Sequence, residues 1–263
     1  SVQDFVLNHS SIRQQWNYIR TQRQSQQAAI PTVAEAADYP LSPAQMRMWS
    51  ITQLSPDQRA YNMQGAFVME GALNVETLAQ AVWSLEDRHE SLRTNFKEVD
   101  GEVRQLVHAE GSRRLQLQYS DLRGHTDAQA KLQQALETAA DTVYDLSKDA
   151  LVQLHVWQLE AEVFTLCISM HHIISDALSL QVFSKELGQT YANILDGKDA
   201  YDQEASIQYK DYTAWLNERM NGENFKKQEQ YWLDQFQGEL PKLELPPDFS
   251  RPPIHTYEGA VES

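Results

Sequence analysis

VFTLCISMHHIISDA, residues 163–177, is an apolar run that ends in two histidines and passes through a short turn into a helix-forming segment. Val163 to Met170 reads as an apolar strand. Beyond the turn, Leu180, Phe183, Leu187, Tyr191 and Ile194 recur at helical spacing and form an apolar stripe. Strand ends that open into helix-forming turns often present reactive groups. Adjacent residues at a strand end point to opposite faces, so His171 and His172 should not do the same job: one faces a site and the other the structure. Imidazole can carry a catalytic proton near neutral pH because its unperturbed pKa is about 6.5. Asp176, four residues on, either orients an imidazole or pairs with a buried arginine. On the residues alone, a satisfied core histidine beside a helix-capping residue accounts for the stretch equally well.

The segments around this stretch alternate between helix and strand patterns. Leu151 to Leu159 reads as a strand joined to the first by a polar turn at Glu160 to Glu162. Ala66 to Met69 is a further short apolar run, and Asp100-Gly101 between Phe96 to Val99 and Val103 to Val107 predicts a tight hairpin. Ser42 followed by Pro43 starts a helix carrying Gln45, Met48, Trp49 and Gln53, and Asn74 starts another carrying Val75, Leu78, Val82 and Leu85. A third helix is expected over Ala128 to Val143. Two aromatic-rich helical patterns follow Ile207, with Tyr212, Trp215, Tyr231, Trp232 and Phe236, before Pro241, Pro246, Pro247, Pro252 and Pro253 stop regular structure. Such aromatics at helical spacing pack the core or a neighbouring lobe more often than they touch a cofactor. Helices alternating with β-rich segments, hairpins among them, predict an α/β sandwich with a mixed sheet.

At the amino-terminal end, Ile12, Trp16 and Ile19 would share one face of a short amphipathic helix within Ser11 to Gln27, and Ala28 to Pro40 reads as a linker. Residues 1–38 are therefore set apart as a linker or docking segment. The whole chain of 263 residues is 41% hydrophobic, enough for a sizeable core. Its formal charge of −15, without a Lys/Arg run, repels a phosphate backbone and excludes nucleic acid as the expected partner. A single cysteine, Cys167, cannot close an internal disulfide and is expected to be a buried packing residue in a cytoplasmic protein. No membrane span, no signal peptide and no Cys/His metal cluster are evident.

Four ordered motifs carry a family resemblance. His171-His172-Ile173-Ile174-Ser175-Asp176-Ala177 is similar to the HHxxxDG signature of condensation domains of nonribosomal peptide synthetases, relatives of chloramphenicol acetyltransferase. LSPAQMRMW, residues 41–49, resembles their first motif; RHESLRTNF, residues 88–96, matches RHExLRTxF; and YKDYTAW, residues 209–215, resembles YxDYAxW, with Leu245-Pro246-Pro247-Asp248 beyond it. The resemblance covers roughly residues 39 to 253. It implies a chloramphenicol acetyltransferase-like two-layer sandwich, one lobe of a V-shaped two-lobe domain, with residues 39–248 as the amino-terminal lobe and 249–263 as the crossover toward a second lobe. It implies amide formation between a carrier-bound acyl or peptidyl thioester and a carrier-bound aminoacyl acceptor, in nonribosomal peptide or hybrid polyketide biosynthesis. Its partners would be donor and acceptor carrier domains, the second lobe and, through the amino-terminal segment, an upstream synthase subunit. Phosphopantetheine would arrive on the carriers, with no permanently bound cofactor and no metal.

The same resemblance assigns His172 as the catalytic residue, positioning the acceptor amine and assisting its proton loss. Asp176 would hold the histidine loop through a salt bridge to Arg88 or, second, Arg93, and losing one member of such a buried pair would cost about 3 to 5 kcal/mol. His171, His89 and Gln45 would be structural support. Ser175 and Ala177 are candidate substrate-channel residues; Ala177 stands where the family usually has glycine, and its methyl group would narrow the space beside His172 or restrict the turn. That departure leaves a second reading, a noncatalytic lobe that binds carrier or docking segments.

Overall fold

The computed structural model describes residues 29–57, 59–201, 205–241, 246, 249 and 250, together with Ser11, Arg13, Gln14 and Trp16. The chain divides into two compact units, residues 1–32 and 33–263. In the first, the Ser11 and Gln14 side chains exchange hydrogen bonds with each other's backbone N–H at a helical turn. The rest of the amphipathic helix expected over Ser11 to Gln27, the Leu245 to Asp248 motif apart from Pro246, and the crossover expected beyond Ser250 lie outside the described residues.

In the second unit the elements follow in order β1 (Tyr39–Pro40), α1 (Pro43–Leu54), β2 (Asn62–Glu70), α2 (Val75–Arg88), a 3-10 turn (Glu90–Arg93), β3 (Thr94–Val99), β4 (Glu102–Val107), β5 (Leu117–Asp121), α3 (Ala128–Ala140), β6 (Val152–Glu160), β7 (Val163–His171), α4 (Ala177–Leu195), α5 (Tyr209–Met220) and α6 (Glu223–Gln235). Local chemistry sets their limits. Ser42 and Gln45 form a reciprocal capping box at α1 with Pro43 in its first turn, and the Asn74 side chain accepts from the Thr77 N–H at 3.0 Å to start α2. Asp100 and Gly101 both take positive φ, 52° and 84°, which lets the β3–β4 hairpin close in two residues.

The larger sheet has strand order β2-β7-β6-β5, with β5 parallel to β6 and the other pairs antiparallel. Alternation along β6 and β7 separates its faces. Leu154, Val156, Leu166, Ile168 and Met170 pack against Leu78, Val82 and Leu85 of α2 and Phe183 and Leu187 of α4. Trp157 and Cys167 pack on the opposite face against Leu132 and Ala139 of α3. A second sheet, β1-β4-β3, presents Phe96 to a smaller cluster with Leu41, Met48, Tyr144, Leu146, Leu151 and Ile173. This cluster lies directly beneath the end of β7.

Two details differ from the sequence expectations. β1 and β5 were not evident: the first has two residues, and the second is an edge strand with a mostly exposed pattern that lacks hydrophobic alternation. α3 ends at Ala140 rather than Val143, and the Ala140 and Thr142 carbonyls accept instead from Asn62 Nδ2 at 3.0 and 2.7 Å. Tyr231 and Trp232, expected to pack the core or a neighbouring lobe, are more than half exposed on α6. Among the described residues no helix is long and apolar enough to cross a membrane.

Candidate active site

The end of β7 is tied down on both sides. His171 N–H donates to the Leu151 carbonyl at 3.0 Å and His172 N–H to the Tyr61 carbonyl at 2.8 Å. The chain then closes a turn in which the Ile174 N–H and the Ser175 hydroxyl both donate to the His171 carbonyl, at 3.2 and 3.1 Å. Asp176 ends the turn by capping α4: its carboxylate accepts from Ser179 N–H and Ser179 Oγ, each at 2.7 Å. These bonds, with the neighbouring helix N-terminus, hold the Asp176 carboxyl below its usual range.

The two histidines have opposite surroundings. His171 is 4% exposed and lies edge-on to Tyr144, with ring centroids 5.9 Å apart. Its Nδ1 accepts from the Ile173 N–H at 3.1 Å, so in the neutral ring the proton sits on Nε2. Burial, followed by the neighbouring His172, pushes its pKa down to about 4, which keeps it uncharged at neutral pH. His172 is half-buried, and its Nδ1 lies 2.7 Å from the Ser175 carbonyl. A carbonyl only accepts, so Nδ1 carries the proton and the lone pair of the neutral ring is on Nε2. Each ring's tautomer is thus set by its own turn.

His172 lines a pocket of about 250 Å³ with Gln45, Phe96, Gln105, Ser175, Asp176 and Tyr209 among its walls. A second pocket of about 350 Å³ shares Ser91, Ile174, Ser175, Asp176 and Ser179 with the first and continues into an apolar space bounded by Leu92, Met170, Leu178, Val182 and Phe183. The arrangement offers a proton acceptor in a small chamber of mixed polarity that shares a wall with a more apolar one. That combination suits proton removal from a nucleophile attacking a bound carbonyl.

Not every residue expected at the site is there in the expected role. Asp176 makes no ion pair with any described basic side chain; it is exposed and engaged with Ser179. Arg88 instead lies with Nε 3.5 Å from Glu186 Oε2 and its guanidinium 4.9 Å over the Tyr201 ring. Arg93 is turned inward to the carbonyls of Glu86 and His108 and shares a long 3.9 Å contact with Glu110. The salt bridge expected of Asp176 is therefore absent, because capping α4 leaves its carboxylate on the solvent side of the turn. Ser175 lines both pockets, whereas Ala177, the first residue of α4, lines neither, and its backbone is not in the left-handed region that would call for glycine. His89 bonds Glu186 at 2.5 Å, and Gln45 is buried in the α1 cap while reaching the pocket wall.

The residues that tie the site's walls together were not singled out in the sequence. Lys210 Nζ pairs with Glu90 Oε1 at 2.7 Å with both side chains largely buried, and Gln208 joins the Glu90 N–H and the Arg88 carbonyl. Asp211 accepts from Val33 N–H and Gln208 N–H, each at 2.8 Å, and Tyr209 Oη lies 3.0 Å from Ser42 Oγ. Apart from Val33, all fall within or beside the motifs at 41–49, 88–96 and 209–215. Nothing in the spacing shows which motif meets which.

The α/β lobe with a mixed sheet and a histidine at the end of an inner strand agrees with the chloramphenicol acetyltransferase-like sandwich that the resemblance implies. Comparison with known proteins narrows it: the Condensation domain profile matches residues 35–263, and the chain belongs to the condensation domain family. Tyrocidine synthase 3 of Brevibacillus parabrevis is 34% identical over 254 residues, which cover 97% of this chain and 4% of that protein. Among solved structures, the starter condensation domain of rhizomide synthetase superposes with a TM-score of 0.70 at 20% identity, over 77% of this chain and 48% of that one. The X-domain in its complex with OxyB from teicoplanin biosynthesis superposes with a TM-score of 0.73 at 25% identity, over 86% of this chain and 49% of that one. The chain thus spans a small part of the curated synthases and about half of the solved chains it resembles.

Proposed function

We propose that this chain is the histidine-bearing lobe of an acyltransferase that joins a carrier-borne thioester to a carrier-borne amine in nonribosomal peptide biosynthesis. The observation that carries this reading is His172 in the wall of a pocket, its Nδ1 bonded to the Ser175 carbonyl so that the lone pair of the neutral ring is on Nε2. An α-amine with a pKa of about 7.7 to 8.0 is largely protonated near neutral pH and needs an acceptor for its proton. In the proposed step the amine nitrogen attacks the thioester carbonyl carbon, His172 Nε2 takes the proton, the C–S bond breaks, and the proton passes to the departing thiolate. The products are an amide and a free thiol. Phosphopantetheine enters as the arm of each substrate, and the partners are the two carriers and a second lobe that completes the chamber.

A noncatalytic binding lobe is the competing reading, and the likeness to an X-domain solved with OxyB speaks for it. The position of Ala177 removes one reason to favour it, since the methyl group neither lines the pocket nor strains the turn. The test is amide formation followed by mass spectrometry, with this chain, a protein extended through the second lobe, and His172→Ala of each. Product from the extended wild type alone is expected; no product from a folded extended protein with several donors would favour the binding lobe.

For residues 1–38 we propose a linker or a docking segment for an upstream subunit. Val33 is bonded to Asp211 and Asp38 to Arg104 at 2.6 Å, so limited proteolysis should cut between Gln27 and Val33 and spare the bonds that follow. Full protection of Gln27 to Val33 would count against a linker.

A further inference from the structure

Tyr209 begins α5 and forms part of the wall of the pocket that holds His172. Its Oη is 3.0 Å from Ser42 Oγ, and either hydroxyl could donate across that distance. The rest of the network decides the direction. Ser42 is 1% exposed, and its Oγ already accepts from the Gln45 N–H at 3.2 Å. If Tyr209 also donated to Ser42, the Ser42 proton would be buried with no acceptor, because among the described residues Tyr209 Oη is the only other polar atom bonded to it. Buried hydroxyl donors are rarely left in that state. Ser42 therefore donates to Tyr209, and the Tyr209 O–H is directed away from Ser42.

Resting on the acyltransferase reading above, we propose that Tyr209 is a second hydrogen-bonding catalytic residue, its O–H aimed into the His172 pocket to donate to the carbonyl oxygen of the thioester. Three further features fit. His172 and Tyr209 line the same pocket of about 250 Å³, below the roughly 300–1,000 Å³ of a drug-sized site, so both border one small space. The phenol stays protonated at neutral pH, because burial pushes its pKa up, opposed by the Ser42 bond, with the charges of Tyr212 and Asp176 adding to the rise. A donor fixed from behind by a buried serine is already oriented before oxygen gains negative charge, which is the arrangement that stabilises a tetrahedral intermediate.

The test compares wild type, Tyr209→Phe, Ser42→Ala and His172→Ala in the protein extended through its second lobe, measuring kcat, KM and Tm. Tyr209→Phe is expected to lower kcat by about 10- to 1,000-fold, a loss that persists on cooling, with KM within about twofold and Tm lowered because the buried Ser42 hydroxyl loses its acceptor. Ser42→Ala should lower kcat less and also lower Tm, because the α1 cap is lost with it. An active wild type with Tyr209→Phe at full kcat overturns the proposal and leaves the acyltransferase reading standing. A lowered kcat that returns to wild type on cooling, alongside a lowered Tm, assigns Tyr209 a purely structural role and also overturns it. A wild type that makes no amide with any donor removes the acyltransferase reading itself.

Discussion

Two polar regions border the same pocket and are held in different ways. The turn from His171 to Ser179 is self-contained: apart from the strand bonds to Leu151 and Tyr61, its hydrogen bonds run between residues a few positions apart. The start of α5 does the reverse. Gln208, Tyr209, Lys210 and Asp211 reach residues 120 or more positions away at Arg88, Glu90, Ser42 and Val33. The comparison teaches that the histidine is oriented locally, while the walls around it are assembled by long-range contacts. Stability and chemistry at this site should therefore respond to different substitutions.

The largest separation is expected at the Glu90–Lys210 pair, whose side chains are 15% and 11% exposed. Replacing Lys210 with Met strands a buried carboxylate and should cost about 3 to 5 kcal/mol in urea unfolding at neutral pH. A loss no larger than that of a surface substitution would erase the contrast between the two regions.

Next comes the buried histidine. His171 has a native pKa of about 4, below the value near 6.5 of an unfolded chain. Between those values the unfolded chain binds a proton that the native state does not, so stability falls as pH falls from about 6.5 to about 4, by about 3 kcal/mol in all. Above pH 6.5 the residue contributes no pH dependence. His171→Gln should flatten this part of the stability profile, and an unchanged slope would show that His171 is not the group responsible.

The smallest effect is expected at Asp176. As an exposed cap, Asp176→Ala should cost about 1 kcal/mol, and Asp176→Asn a few tenths, since asparagine caps equally well. A loss of several kcal/mol in the Asn variant would restore a charge-pair role for Asp176 and weaken the distinction drawn here.

Much of the fold was legible because its signals are local. Ser42, Asn74 and Asp100-Gly101 announce their caps and turn through side-chain chemistry confined to a few residues. The apolar run from Val163 and the stripe from Leu180 reveal the central strand and the helix that covers it. β5 was not legible because a short edge strand needs little hydrophobic alternation. At the site, the strand-end position of His172 was readable, but the Asp176–arginine pair was misassigned: the resemblance supplied a long-range partner where the sequence Asp176-Ala177-Leu178-Ser179 already provides a local one. The Glu90–Lys210 and Ser42–Tyr209 contacts are products of tertiary assembly, and no spacing rule within either motif encodes them.

Under the proposed function the turn presents the unprotonated Nε2 of His172 to the pocket while His171 holds the opposite tautomer. Nitrogen-15 NMR of the imidazoles at neutral pH, with each signal assigned by single His171→Gln and His172→Gln substitutions, tests it directly. The structure predicts a protonated Nδ1 and a bare Nε2 for His172, and a bare Nδ1 with a protonated Nε2 for His171. A protonated Nε2 and bare Nδ1 on neutral His172 would contradict the account, because the ring's lone pair would then be on Nδ1, against the Ser175 carbonyl, and not on Nε2.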